Sequence, residues 1–234
     1  LAEKEVSKRI DANLLNVSMD DLMSLPKDLY DSKIKHLKQK TNGKLIVKEF
    51  PTASASTVHF RGLLNELNLK KNFVPDVIMV DYLNICASAR IKPGNGVNSY
   101  TYVKSIAEEL RGLAVEHNVP IWSATQLTRS GYGSSDPDLT DTSESFGLPA
   151  TADFFVALVT NDQLEQLNQF SVKQLKNRYA DPAKFKKDII GVDKAKMRLY
   201  DVEQSAKNIV DTGDEELPKP KFDGGKSKFK GLKV

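Results

Sequence analysis

The chain has 234 residues, 40% of them hydrophobic and 28% charged, a composition that excludes a wholly disordered protein. Its longest apolar run, Phe154 to Val159, is far shorter than the ~20 residues of a membrane-spanning helix, so no membrane partner is expected. The single cysteine, Cys86, is expected in an apolar pocket, and three widely spaced histidines give no zinc-binding pattern, which favours an intracellular protein. The net charge of +3 comes from residues 218–234, which hold six Lys and one Asp.

The N-terminal part of the chain is predicted to be mostly helical. Apolar residues recur on one helical stripe over residues 1–16, and Ser18 with Asp21 resembles a capping box that opens a short second helix. A third helix is predicted to end at Asn42-Gly43. The residues that follow, 44–50, have the composition of a strand.

The remainder alternates strands with amphipathic helices. Thr57 is predicted to cap a helix, Asn161 or Thr160 a shorter one, and Trp122 is expected in the core. The predicted strands are 77–80, 119–125, 153–159, 170–178 and 189–203. This alternation predicts an α/β fold, a mostly parallel sheet flanked by helices on both faces, with a C-terminal antiparallel strand pair. Ligands of such sheets bind at the carboxyl ends of the strands.

Two polar residues follow consecutive predicted strands. Asp81 comes directly after Val77–Val80 and can orient the water shell of a bound magnesium ion, whereas an ordinary Asp turn at a strand end is the alternative. Gln126 follows the next strand, where it can contact a terminal phosphate or be an ordinary surface glutamine. Because both strands end on the same rim of a parallel sheet, Asp81 and Gln126 are expected to be neighbours.

Two cations lie near the end of a later predicted strand. Lys176 and Arg178 alternate along the chain and therefore point the same way. Such a pair suits a phosphate in another subunit's site, where an arginine can raise the rate by ~10³ to 10⁵. A solvated strand face is the alternative.

Two polar loops leave the same rim as Asp81. They span residues 90–98 and 128–146, and they offer the cations Arg90, Lys92 and Arg129 together with several glycines. Such loops can grip a nucleic-acid backbone, or they can be mere connections. With so few cations per loop, a grip needs several subunits acting together, which points to an oligomer.

The sequence lacks a phosphate-binding loop of the form G-x-x-x-x-G-K-[ST]. Gly225-Lys226-Ser227 does not qualify, because position 220 is Pro. Since the chain also begins at Leu1 rather than Met, it is expected to be a fragment of a longer protein. Residues 1–205 are expected to form one partial domain, and residues 206–234 a flexible basic tail that aids solubility or contacts nucleic acid or an acidic partner.

Five segments, in order, resemble the DnaB-type replicative helicases. They are Val77-Ile-Met-Val-Asp-Tyr-Leu-Asn-Ile85, Glu109-Leu-Arg-Gly-Leu-Ala-Val-Glu-His-Asn-Val-Pro120, Ser123-Ala-Thr-Gln-Leu-Thr-Arg129, Asp141-Thr-Ser-Glu-Ser-Phe-Gly-Leu-Pro-Ala-Thr-Ala-Asp153 and Lys176-Asn-Arg178. The chain is particularly similar to the helicases of T-even-type bacteriophages, through residues 9–16 and 191–201, and the likeness covers about residues 1–205. It implies a RecA-like P-loop NTPase motor that works as a homo-hexameric ring. Such a ring uses ATP, or another NTP, with Mg²⁺ to move on single-stranded DNA and unwind duplex.

The resemblance also implies roles for individual residues. Asp81 matches the magnesium-orienting acid, and Gln126 matches the residue that couples the γ-phosphate to DNA. Lys176 and Arg178 match the pair that reaches into the neighbouring subunit's site. Three further residues fall on the family's DNA-binding loop: Ser143, which stands where cellular relatives commonly have Arg, Glu144 and Phe146.

The family's phosphate-binding loop would lie upstream of this chain, and its catalytic glutamate immediately before Leu1. The resemblance therefore implies that the chain alone is inactive as an ATPase. It further implies a primase and a helicase loader as partners, and a phage protein that acts in the cytoplasm of the bacterial host. Two other functions stay open: a RecA-like strand-exchange recombinase, which forms filaments rather than rings, and a non-catalytic paralogue that binds DNA or protein partners.

Overall fold

A computed structural model describes residues 2–92, 94, 97–126, 147–181 and 187–202. The helices in these parts of the chain are α1 (Glu3–Leu15), α2 (Met19–Ser24), α3 (Lys27–Lys40), α4 (Thr57–Lys71), α5 (Ser99–His117), α6 (Gly147–Thr151) and α7 (Asp162–Gln166). The strands are β1 (Ile78–Val80), β2 (Ile121–Ser123), β3 (Phe154–Val159), β4 (Gln169–Asn177), β5 (Lys187–Asp193) and β6 (Arg198–Asp201). None of the described helices is both long and apolar enough to cross a membrane.

The first three helices confirm the helical prediction for the N-terminal part. Helix α1 ends at Asn16, which adopts a left-handed conformation with φ of 53°. Ser18 then caps α2, because its hydroxyl accepts a hydrogen bond from the amide of Asp21 at 3.0 Å. Tyr30 of α3 donates its hydroxyl to Asp11 of α1 at 2.9 Å, which ties the two helices together.

Two predictions around α4 are wrong. The segment 44–50 forms no strand; instead the amide of Glu49 donates to the carboxylate of Glu3 at 2.9 Å, and Leu45 is 66% exposed. Helix α4 is capped one residue earlier than predicted, by Ser56, which forms a capping box with His59.

The described strands form two sheets. Strands β1 and β2 pair in parallel, and β3, β4, β5 and β6 pair antiparallel in chain order. The predicted C-terminal hairpin is therefore confirmed in β4 and β5. The predicted strand 189–203 is divided, because a turn over residues 194–197 separates β5 from β6. Parallel pairing among the described strands is limited to β1 and β2.

The core lies between α5 and the segment after β1. Its buried residues are Leu83, Cys86, Val103, Ile106, Ala107, Leu110 and Leu148. Cys86 lies in this apolar cluster as predicted, and burial raises the pKa of its thiol to about 11. Helices do not cover the parallel strands on both faces within the described residues, since Met79 is 81% exposed and Trp122 is 53% exposed. The prediction of a core Trp122 is therefore wrong.

Candidate functional site

The ends of β1 and β2 form one rim. Val80 and Ser123 are paired in register, so the two parallel strands end side by side. The hydroxyl of Ser123 donates to the carbonyl of Val80 at 2.8 Å, and the amide of Leu83 donates to the carbonyl of Ala124 at 3.1 Å. These bonds fix the backbone on both sides of Asp81, whose side chain is exposed. The Asp81–Tyr82 peptide bond is cis.

Gln126 lies on the same rim as Asp81, as the sequence predicts. Its amide Nε2 donates to the hydroxyl of Tyr82, the residue after Asp81, at 3.4 Å. Thr125 donates its hydroxyl to the side-chain oxygen of Asn84 at 2.9 Å, so a second bond joins the two segments. The placement of the two residues is therefore found, while their roles stay predictions.

The residues of the rim fit a magnesium ion held through water. Asp81 offers an exposed carboxylate and Gln126 an amide, both oxygen donors of the kind that magnesium prefers. The described residues contain no group of three or more His, Cys, Asp or Glu that could enclose a metal ion. A single carboxylate suits magnesium, which keeps several of its waters when it is bound with a nucleotide.

Arg90, predicted to contact DNA, is held by helix α5. Its Nη2 donates to the carboxylate of Glu108 at 2.8 Å and to the carbonyl of Ser105 at 3.1 Å. About half of its side chain is exposed, so the guanidinium still faces solvent. Lys92, two residues further, is exposed. The other predicted DNA-binding residues, Arg129, Ser143, Glu144 and Phe146, lie outside the described residues.

The start of the loop that carries Arg90 is organised by a buried carboxylate, Glu109, whose side chain is 6% exposed. Its carboxylate accepts hydrogen bonds from the hydroxyls of Thr57, Ser88 and Ser105 and the amides of Ala89 and Arg90. Burial raises the pKa of Glu109, but hydrogen bonds from four of these donors outweigh it, so the pKa lies below its usual range.

Lys176 and Arg178 lie against one segment, the residues 149–153 at the end of α6. Lys176 donates its ammonium to the carbonyls of Pro149 at 2.8 Å and Ala150 at 3.2 Å. These carbonyls belong to the last turn of α6, where no helical amide can bond them. The two cations thus share a side of β4, as the alternation predicts.

Arg178 forms a second contact with that segment through Asp153. Its Nη1 donates to Oδ1 of Asp153 at 2.8 Å, and Arg111 of α5 donates to Oδ2 of the same carboxylate at 2.9 Å. The Arg178 hydrogen bond holds the pKa of Asp153 below its usual value, burial opposes this, and the Arg111 hydrogen bond supports it.

Three residues of this region were missed at the level of sequence, namely Glu109, Arg111 and Asp153. Glu109 lies four residues after the buried Ser105 of α5, and this spacing places it on the buried face of the helix. A carboxylate on such a face needs partners, which was the available signal. No signal of that kind marked Arg111 or Asp153.

The comparisons with known proteins agree on one family. Residues 1–198 match the family described as DnaB-like helicase C terminal domain. The chain is 47% identical over 209 residues to the DnaB-like replicative helicase of Enterobacteria phage T4, covering 88% of this chain and 44% of that protein. It is 29% identical over 152 residues to the replicative DNA helicase DnaB of Mycoplasma genitalium, covering 61% of this chain and 32% of the relative. The chain spans less than half the length of both relatives.

Two solved structures share the fold at 19% sequence identity. One is an isolated ATPase domain, which matches with a TM-score of 0.67, covering 87% of this chain and 72% of that one. A DnaB-like replicative helicase, whose structure is described with its interactions with primase, matches with a TM-score of 0.66, covering 87% and 50%. These matches confirm the predicted RecA-like α/β fold. With the family match over residues 1–198, they establish that the chain belongs to the DnaB-like helicases and corresponds to their C-terminal domain.

Proposed function

We propose that this chain is the C-terminal part of a replicative DNA helicase, which couples ATP hydrolysis to movement on single-stranded DNA and unwinds duplex as a homo-hexameric ring. The observation that carries the proposal is the placement of Asp81 and Gln126 on one rim, in a chain of the DnaB-like family. A helicase of the same fold interacts with primase, which supports a primase as partner. A helicase loader and the cytoplasm of a phage-infected bacterium complete the proposal.

Asp81 and Gln126 serve the nucleotide in this proposal. Bound magnesium supplies charge neutralisation at the phosphates, and Asp81 holds the water shell of that ion. Gln126 contacts the terminal phosphate with its amide. Because this amide also bonds Tyr82, a shift of Gln126 is felt in the segment that leads to Arg90 and the proposed DNA contacts.

Lys176 and Arg178 serve the site of the neighbouring subunit in this proposal. Arg178 directly follows β4 and is 57% exposed, which a residue that reaches another subunit requires. Lys176 is held closer to its own chain, by the carbonyls of α6. Charge delivered by Arg178 to a transferring phosphoryl group lowers the barrier in the transition state more than it strengthens nucleotide binding.

The test replaces Arg178 with Ala in the full-length helicase that carries this sequence. We expect DNA-stimulated ATP turnover to fall by about 10³-fold, with nucleotide binding nearly unchanged, because the arginine acts in the transition state. Mutant and wild-type subunits are then mixed in known ratios. Since each subunit completes its neighbour's site, activity should fall faster than the mutant fraction rises.

Arg198→Ala is the matched control, because Arg198 lies in β6 of the same sheet and bonds only Asn16 among the described residues. It should leave turnover unchanged. A loss that is merely proportional to the fraction of Arg178→Ala subunits would contradict the role between subunits. Electron micrographs with nucleotide and single-stranded DNA separate the closed ring from the filaments of a recombinase.

A further inference from the structure

We infer that Asp153 is a positioning residue for Arg178: its carboxylate, itself held by Arg111, orients the Arg178 guanidinium for a phosphate of the neighbouring subunit. The inference rests on the proposed role of Arg178. It adds two residues, Asp153 and Arg111, that sequence reasoning did not single out.

Asp153 holds Arg178 at two points. Its carboxylate accepts from Nη1 of the guanidinium at 2.8 Å, and its backbone carbonyl accepts from the Arg178 amide at 2.9 Å. Both ends of a long and flexible side chain are thereby attached to one residue. The second attachment matters because an arginine free at its tip samples many rotamers, and ordering it later costs entropy.

Arg111 fixes the carboxylate in turn. Its Nη1 donates to Oδ2 of Asp153 at 2.9 Å and to the carbonyl of Thr151 at 2.7 Å. Each oxygen of Asp153 therefore faces a different arginine, so the carboxylate cannot turn away from Arg178 without losing a charged hydrogen bond. Because Arg111 lies on the long helix α5, the anchor is attached to the core of the fold.

The arrangement leaves Arg178 available for another ligand. Exposure increases outward through the cluster, from 29% for Asp153 to 41% for Arg111 and 57% for Arg178. Two arginines and one aspartate give the cluster a net charge of +1, so the carboxylate orients the guanidinium without cancelling its attraction for phosphate. A hydrogen bond from Arg178 keeps the pKa of Asp153 low, so the carboxylate remains charged at neutral pH.

The same segment also holds the second cation of the pair. Lys176 bonds the carbonyls of Pro149 and Ala150, directly before Thr151 and Asp153. The residues 149–153 therefore set the positions of both cations that the proposed function gives to the neighbouring site. Misplacement of such groups by about 1 Å can reduce the rate by ~10²-fold.

The experiment measures DNA-stimulated ATP turnover of the full-length helicase that carries Asp153→Asn. We expect kcat to fall by ~10- to 100-fold, while KM for ATP and the affinity for a non-hydrolysable nucleotide stay unchanged. In the Arg178→Ala background, Asp153→Asn should cause no further fall, since the residue that it positions is absent. Asp201→Asn, an exposed aspartate at the end of β6 in the same sheet, is the matched control and should behave like wild type.

The outcomes separate this inference from the proposed function. If Arg178→Ala does not reduce kcat, the proposed role of Arg178 fails, and the inference fails with it. If Arg178→Ala reduces kcat while Asp153→Asn does not, or if Asp153→Asn raises kcat, positioning by Asp153 is wrong and the proposed function stands. A further loss in the double variant would likewise show that Asp153 acts apart from Arg178. Should Asp153→Asn fail to fold, Arg111→Ala decides: a ~3- to 10-fold fall in kcat at unchanged KM supports the inference, and an unchanged kcat overturns it.

Discussion

At the scale of single residues, Glu109 combines a cost with a larger gain. A carboxylate that is 6% exposed has lost most of its hydration, which is unfavourable unless donors replace the water. The structure supplies five donors, from α4, from α5 and from the segment after β1. The charged form is therefore favoured, and the carboxylate joins three parts of the fold that would otherwise be connected only by apolar packing.

Replacing Glu109 with Gln tests this account. The substitution keeps the shape but turns one acceptor oxygen into a donor, so at least one buried donor loses its partner. We expect the free energy of unfolding to fall by about 1–3 kcal/mol, measured by urea denaturation of the chain. Glu116→Gln is the control on an exposed face of the same helix, where Glu116 pairs with Arg61, and its urea midpoint should barely move. Equal losses in the two variants would contradict the role given to Glu109.

The pH dependence of the Glu109→Gln variant provides a second readout of the same prediction. Since the folded-state pKa of Glu109 is lowered, its contribution to stability is complete above the usual glutamate pKa of about 4.3. The contribution is lost as the pH falls through the lower folded-state value. The variant has no such group to protonate, so its stability should decline less steeply than that of wild type in this range.

At the scale of elements, three glycines have opposite expected effects when replaced by Ala. A Cβ at Gly62 in α4, or at Gly112 in α5, meets nothing within 4 Å, so Gly62→Ala and Gly112→Ala should each stabilise the chain by about 0.5–1 kcal/mol. A Cβ at Gly191 in β5 would lie 2.3 Å from the ring of Tyr200, its partner in β6. Gly191→Ala should therefore destabilise the chain by about 1–3 kcal/mol, measured by thermal unfolding of all three variants. A stabilising Gly191→Ala would mean that the Tyr200 ring moves aside at no cost.

The elements that could be predicted from sequence are those with local signals. Helix α5 has an apolar stripe of several turns, and α7 has Asn161 at its start, whose side chain accepts from the amide of Leu164 at 2.8 Å. The segment 44–50 shows the limit of such signals. Its apolar residues suit a strand, but a strand exists only with a partner in register, and pairing lies outside local sequence. In the fold, the amide of Glu49 finds the carboxylate of Glu3 instead.

The site shows the same division between local and non-local information. Asp81 and Gln126 could be placed together because the carboxyl ends of neighbouring parallel strands meet on one rim. The bridge from Arg111 through Asp153 to Arg178 could not, because its members lie on α5, before β3 and after β4. Their meeting depends on the packing of α5 against the antiparallel sheet. Sequence spacing carries no information about that contact.

At the scale of the whole molecule, helix α5 connects the two groups of candidate functional residues. Glu109 holds the segment that follows β1 and Asp81, and Arg111, two residues later, holds the segment that precedes β3. Through Asp153, that second segment carries Arg178. One rigid helix thus fixes the residues proposed for the chain's own nucleotide and those proposed for the neighbour's nucleotide. This arrangement requires several copies of the chain before either group can complete a site.

The same division of parts predicts how the 234-residue chain behaves alone. It carries Asp81 and Gln126, but its sequence has no glycine-rich loop whose amides could surround the phosphates. We therefore expect no ATP turnover above background from the purified chain, with or without single-stranded DNA. The full-length helicase should turn over ATP under the same conditions. DNA-stimulated turnover by the chain, abolished by Asp81→Asn, would contradict this expectation, since these residues would then bind the phosphates unaided.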